Sequence, residues 1–122
     1  MMRLQILPQE FSVCKVDDSS DIDLSDDFVF IGKTDREISL VCTTVSAPEN
    51  CIREDGWRAF RVAGDLDFSL VGIISKISGV LAEAGIGIFV ISTYNTDYVL
   101  VKETNLDPAV RVLTEGGYDF AG

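Results

Sequence analysis

The chain contains no histidine. It therefore lacks the side chain that most often serves as a general base near neutral pH and as a zinc ligand. Cysteine is nearly as scarce. Cys14, Cys42 and Cys51 are odd in number and widely spaced, so they suggest neither a disulfide framework nor a metal site and are read as buried free thiols. Positive charge is short as well: 10 Lys and Arg stand against 20 Asp and Glu, a net charge of -10. Such a surface repels phosphate backbones and anionic headgroups, which argues against nucleic acid and membrane as partners. No apolar run is long enough to cross a bilayer. Met1 to Leu4 leads into Gln5, Pro8 and Glu10 rather than a signal-peptide core, and the expected location is cytoplasmic.

What is present is apolar. Hydrophobic residues make up 47% of the 122 positions, enough for one ordinary domain or two very small ones sharing a core. The most ordered pattern lies between Ala63 and Lys102. Leu70, Ile73, Ile74, Ile77, Val80, Leu81 and Ala84 recur at helical spacing and predict a helix over Ser69 to Ala84. Ser69 is its expected N-cap and Gly85 its left-handed terminator. Two β-branched runs follow, Ile86 to Thr93 and Asp97 to Lys102, around a turn at Tyr94-Asn95-Thr96-Asp97. Asp107-Pro108 opens a second helix with proline at its first position, Gly116-Gly117 closes it, and Tyr118 to Phe120 adds an edge strand.

The first half reads mostly as strands. Leu4 to Leu7 and Phe11 to Val16 fit two short ones, separated at Pro8. Asp17 to Asp27 carries six aspartates in eleven residues and reads as a solvated loop or a single helical turn. Its Asp21-x-Asp23-x-Ser25 spacing lacks the glycine and glutamate of a calcium loop, so no metal is expected. Phe28 to Lys33 and Ile38 to Val45 form an antiparallel pair across Thr34-Asp35-Arg36, with Ile38, Leu40 and Cys42 on one face. Ser46 to Gly56 is the connector between halves, and Trp57 to Ala63 restarts a strand.

The predicted fold class is α+β. Residues 56–122 give the order βαββαβ, four strands in one antiparallel sheet with both helices on one face, which is a ferredoxin-like fold. Residues 1–55 form a β-rich, helix-poor half packed with it. Ile86, Ile88 and Val90 alternate with Phe89 and Ile91, so that strand is apolar on both sides. Either the first half or the same strand of another subunit must cover the second side, and a homodimer is expected.

Phe89 to Val101 (FVISTYNTDYVLV), with Gly56 to Val62 (GWRAFRV) and Asp65 to Ile73 (DLDFSLVGI), resembles the ACT domain family. Within it, the chain resembles small proteins with two ACT-type halves and the cytosolic arginine sensors. The likeness is strongest over Gly56 to Lys102; Phe28 to Cys42 resembles the family's preceding strand pair, and 1–55 would be a degenerate ACT-like half. The resemblance implies a regulatory, non-catalytic protein that binds a free amino acid or similar small zwitterion. The ligand would lie between the first-helix N-terminus and the STYNTD hairpin, at an inter-unit interface. It carries over Gly72, Ile73, Thr93, Tyr94 and Asp97 as ligand contacts and implies no cofactor. The family's phenylalanines are not all kept: Tyr94 replaces one and Thr96 another.

Those residue types suit the role. Free amides at a helix start hold a carboxylate, and an aspartate accepts from an ammonium group. Each also has a plain structural reading. Asp97 is equally suited to capping its turn, Gly72 to close helix packing, Trp57 to anchoring the halves, and Asp65 and Asp67 to complementing the helix dipole. Catalysts on the same fold, such as acylphosphatases, need a cationic cradle where this chain has Gly64-Asp65-Leu66-Asp67, and no Ser or Cys stands beside a recognisable base. The remaining alternative is a protein-interaction or dimerisation module without a small-molecule ligand.

Overall fold

The computed structural model describes residues 2–63 and 72–121. Their order is β1 (Arg3–Val16), β2 (Val29–Lys33), β3 (Ile38–Thr43), β4 (Ile52–Val62), α1 (Ile73–Glu83), β5 (Phe89–Ser92), β6 (Asp97–Lys102), α2 (Leu106–Glu115) and β7 (Asp119–Ala121). The chain divides into two compact units, Met1–Pro8 with Arg58–Gly122, and Gln9–Trp57. The sequence groups the first eight residues with the first half; in the structure they belong with the second.

The larger unit keeps the βαββαβ order as β4-α1-β5-β6-α2-β7, but its strands run β5-β6-β4-β1-β7. The expected four-stranded antiparallel sheet is therefore corrected. Arg3–Gln5 of β1 pairs in parallel with Asp119–Ala121 of β7, and Ala63 N donates to Arg3 O at 2.9 Å on the other side. An exposed Arg3–Asp119 ion pair at 3.2 Å marks the same register. Nothing local in Leu4 to Leu7 specifies this placement, because the partner strand lies more than a hundred residues away.

The core of this unit joins Leu4, Phe60, Val62, Val99 and Val101 from the strands to Ile77, Leu81, Ala109 and Leu113 from the helices. Ile77 and Leu81 are fully buried, and Ile73, Ile74 and Val80 pack beside them, which is the face the spacing predicts. Phe60 stacks edge-on against Phe120 with ring centroids 5.7 Å apart.

Both helices stop by one device. At α1, Gly85 takes φ +74°, its N–H reaches Ala82 O at 3.0 Å and Ile86 N reaches Leu81 O at 3.0 Å. At α2, Gly117 takes φ +100°, and Tyr118 N reaches Leu113 O at 3.0 Å. Each pairs the last carbonyls and turns an apolar residue back onto the helix, the Schellman arrangement. The helix starts differ from expectation. Gly72, with φ +80°, is the N-cap of α1, and Lys76 N donates to its carbonyl at 2.9 Å. The predicted cap Ser69, with Leu70, Asp65, Asp67 and the Gly64 loop, lies outside the described residues. Helix α2 begins at Leu106, capped by Asn105, so Pro108 sits third rather than first. It is still within the first turn, where a missing N–H costs no helical bond.

In the smaller unit, β3 lies between β2 and β1. Phe11↔Thr43 through Val16↔Ile38 set one antiparallel register, and Val29↔Cys42 through Lys33↔Ile38 the other. Ile38, Leu40 and Cys42 share a face as predicted, clustering with Cys14 and Val16. The unit holds two 3-10 turns, Ser19–Asp21 and Thr44–Ser46, and no α-helix. Two boundaries moved. Strand β1 runs unbroken through Pro8, which falls between the β7 register ending at Gln5 and the β3 register starting at Phe11, where that side needs no ladder bond. Strand β4 begins at Ile52, inside the expected connector; Glu54, Asp55 and Gly56 are weak strand formers, and Gly56 holds φ +85°.

Polar side chains fasten this unit. Ser12 is fully buried; its hydroxyl donates to Asp55 Oδ1 at 2.5 Å and lies 2.9 Å from Thr44 Oγ1. Thr43 Oγ1 donates to Asp26 Oδ2 at 2.5 Å. Hydrogen bonds from Ser46 and Thr43 hold the Asp26 carboxyl below the usual carboxylate range. A depressed folded value stabilises the protein above the unfolded-chain value of about 3.9, and the contribution is lost as pH falls through the lower folded one. Thr43→Val should therefore lower the urea midpoint at pH 7 and have a smaller effect at pH 2.5. Equal losses at both would show that packing, not the carboxylate bond, sets the cost.

Candidate functional site

The hairpin joining β5 to β6 is built by hydroxyls. Ser92 pairs with Asp97 in the register, and Thr93 N donates to Thr96 O at 2.9 Å, leaving Tyr94 and Asn95 at the tip. Thr93 Oγ1 donates to Thr96 O at 3.0 Å and accepts from Thr96 N at 3.3 Å. Thr96 is buried, and its Oγ1 donates to Val62 O at 3.0 Å. That last bond sets the turn against the end of β4, the point from which the chain departs toward α1. Arg61, one residue earlier, reaches Tyr98 Oη at 3.1 Å and Gln5 Oε1 at 3.0 Å, which braces the base of the hairpin.

Asp97 is half-buried at the start of β6, and Oδ1 accepts from Ser92 Oγ at 2.5 Å. The bond fixes the carboxylate rotamer and leaves lone pairs for a further donor. Tyr94 is 80% exposed, so its ring is presented outward rather than folded into the core. Thr93, by contrast, uses its hydroxyl within the turn. Of the expected contacts, Thr93, Tyr94 and Asp97 thus lie in one five-residue hairpin.

Gly72 and Ile73 lie together at the start of α1. Among the described residues a side chain added at Gly72 would meet nothing within 4 Å, and its positive φ is what calls for glycine. Only Gly takes that conformation without strain at a helix entrance. Amides of the first turn, Ile73, Ile74 and Ser75, have no acceptor inside the helix, whose first bond is Lys76 N to Gly72 O. Ile73 also lines a cavity of about 260 Å³ with Met2, Lys76, Gly116, Gly117 and Tyr118. Gly72 and the hairpin residues are not part of that lining.

Four further residues, none among the expected contacts, take part. Thr96 carries the bond that positions the hairpin, and Arg61 with Tyr98 supports it. Lys76 brings a cation to the cavity; its only signal was being the lone charge between Gly72 and Ala82. Chemically, the start of α1 offers peptide N–H donors for a carboxylate, the hairpin offers a fixed carboxylate for an ammonium group, and the cavity beside Ile73 offers one lysine. Among the described residues no cluster of three or more acidic or thiol groups is placed to hold a metal.

The comparisons with known proteins agree with this architecture. A family model described as ACT domain matches residues 52–115, which contain α1, the hairpin and α2. The human cytosolic arginine sensor for mTORC1 subunit 1 is 41% identical over 58 residues, covering 47% of this chain and 18% of that protein. The mouse protein is 38% identical, also over 58 residues. The match thus covers less than a fifth of those relatives' length. Among solved structures, a protein of Agrobacterium tumefaciens superposes with TM-score 0.88 and 29% identity, over 98% of this chain and 92% of that one. The regulatory subunit of aspartate kinase from Thermus thermophilus superposes with TM-score 0.67 over 92% and 95%; at 10% identity this likeness speaks for the fold alone. A family match over more than half of its residues, on the elements that carry the hairpin and the helix entrance, makes this chain a member of the ACT domain family.

Proposed function

We propose that the protein is a regulatory amino-acid-binding module. The ligand carboxylate is held by the first amides of α1 and its ammonium group by Asp97, with Gly72 and Ile73 forming one wall and Thr93 and Tyr94 the other. A second copy of the chain completes the site, joined through the edge strand β5, whose residues from Phe89 to Ile91 are half-buried on both faces. Residues 1–55 act as a degenerate ACT-like half, structural rather than ligand-bearing. The protein works without catalysis or cofactor, in the cytoplasm as its relatives' name states of them, with neither nucleic acid nor membrane as partner.

The observation that carries this reading is the Thr96–Val62 hydrogen bond, which puts the Asp97 hairpin at the sheet end from which the chain runs on to the amide-rich start of α1. Arginine is a natural first ligand to test because the sensors are named for it, but Tyr94 and Thr96 change the pocket wall, so all twenty amino acids belong in the trial. A ligand that binds only the folded state at a hundred times its Kd adds about 2.7 kcal/mol, a melting shift on the order of 10 °C for a chain of this size. At least one amino acid is expected to give such a shift at millimolar concentration. No shift with any of them would favour a dimerisation module that binds no small molecule.

A further inference from the structure

The three thiols scattered over positions 14, 42 and 51 meet in the unit Gln9–Trp57. Cys14 and Cys42 are buried in β1 and β3, and Cys51, half-buried just before β4, packs against them. The Cys51 thiol donates to Pro48 O at 3.3 Å, and within the cluster the Cys14 thiol contacts those of both Cys51 and Cys42. Cys51 is open to solvent through a cavity of about 430 Å³ lined with Lys15, Asp17, Glu49, Asn50 and Ile52. Arg53 donates to the same Pro48 carbonyl at 3.1 Å, so a guanidinium stands beside the thiol.

The strand register decides which pair can be bridged. Cys42 faces Ser12 and Cys14 faces Leu40, which makes Cys14 and Cys42 diagonal neighbours on one face. Although those two thiols touch, diagonal Cα atoms are typically about 7–8 Å apart, at or past the roughly 7 Å that a disulfide spans, and both strands are held in their ladders, so bridging them would need the backbone to move. Cys51 precedes β4 and belongs to no ladder, so its backbone is free to settle. We propose that Cys51 and Cys14 are a reversible disulfide-forming pair, with Cys51 the entry point for a small-molecule disulfide such as oxidised glutathione.

The Cys51 thiolate attacks one sulfur of the oxidant, whose S–S bond breaks and releases one glutathione thiolate, which takes up a proton. Cys14 then loses its proton to solvent and attacks Cys51 Sγ, releasing the second glutathione. Two protein thiols are oxidised and one glutathione disulfide is reduced to two thiols. The order of attack follows from access and burial: desolvation pushes the Cys14 thiol up to about 12, so it is the slower, resolving partner. The bridge ties the Pro48–Cys51 segment to β1.

The test is a peptide map of the full chain after incubation with oxidised glutathione and alkylation. The expected product has lost two hydrogens, contains a Cys14–Cys51 crosslink that dithiothreitol removes, and leaves Cys42 alkylated only after unfolding. Cys51→Ser should prevent oxidation, and Cys14→Ser should leave a stable glutathione adduct on Cys51. A crosslink through Cys42, a lasting adduct on the unmutated chain, or no reaction at all would overturn the proposal. The map of the unmutated chain decides even where a Cys14 variant does not fold.

Discussion

Asp97→Ala will remove the amino-acid-dependent rise in melting temperature while leaving the unliganded protein folded. The carboxylate supplies the only acidic acceptor proposed for the ligand's ammonium group. A charge-assisted hydrogen bond of this kind is worth about 1.5–3 kcal/mol, which raises Kd roughly 10- to 150-fold. The structural cost is smaller. What the substitution removes within the protein is the partly exposed bond from Ser92 Oγ, worth about 0.5–1.5 kcal/mol. Ser92→Ala separates the two roles, since it deletes that bond and keeps the carboxylate. Its ligand-induced shift should persist. If Ser92→Ala and Asp97→Ala lose the shift together, Asp97 serves the turn and not the ligand. Calorimetric titration of both variants beside the unmutated protein provides the comparison.

The second large effect concerns the scaffold. Phe60 is fully buried in β4, among Leu4, Val62 and the two helices, and meets Phe120 edge to face at 5.7 Å. Phe60→Ala deletes a ring that the strands and both helices share, at about 3–5 kcal/mol from lost transfer energy and the cavity left behind. That is a large part of the 5–15 kcal/mol typical of a domain's stability. Urea unfolding should show a much lower midpoint with an unchanged slope. Val45→Ala, at a position 95% exposed, should move the midpoint by less than about 0.5 kcal/mol equivalent. A small effect at Phe60 would mean the β4 core relaxes around the gap.

The α1 stripe, the glycine terminators at Gly85 and Gly117 and the Thr93–Thr96 turn are set by residues within one or two turns of each other, so local spacing reveals them. The pairing of Arg3–Gln5 with β7 depends on a partner at the far end of the chain, and no local pattern announces it. Strand β4 was masked for a different reason: Glu54, Asp55 and Gly56 read as loop by composition, but Ser12 and Arg53 engage Asp55 there and tertiary pairing overrides propensity. At the site, the S-T-Y-N-T-D run was legible as a turn and as a family signature. What it could not disclose is the division of labour inside it. Thr93 and Thr96 look alike in sequence, yet one closes the turn and the other anchors it to Val62, and only coordinates separate local from distant acceptors. Gly72 is the reverse case: sequence left a packing explanation open, and its backbone angle is what calls for glycine.

The most direct measurement is an amide NMR titration of the full chain with the amino acid that gives the largest thermal shift, or with all twenty in turn if none does. Saturable shifts are expected at Gly72, Ile73, Ile74 and across Thr93 to Asp97, lost in Asp97→Ala. Shifts confined to the cavity beside Cys51, or no saturable change with any amino acid, would contradict the proposed function.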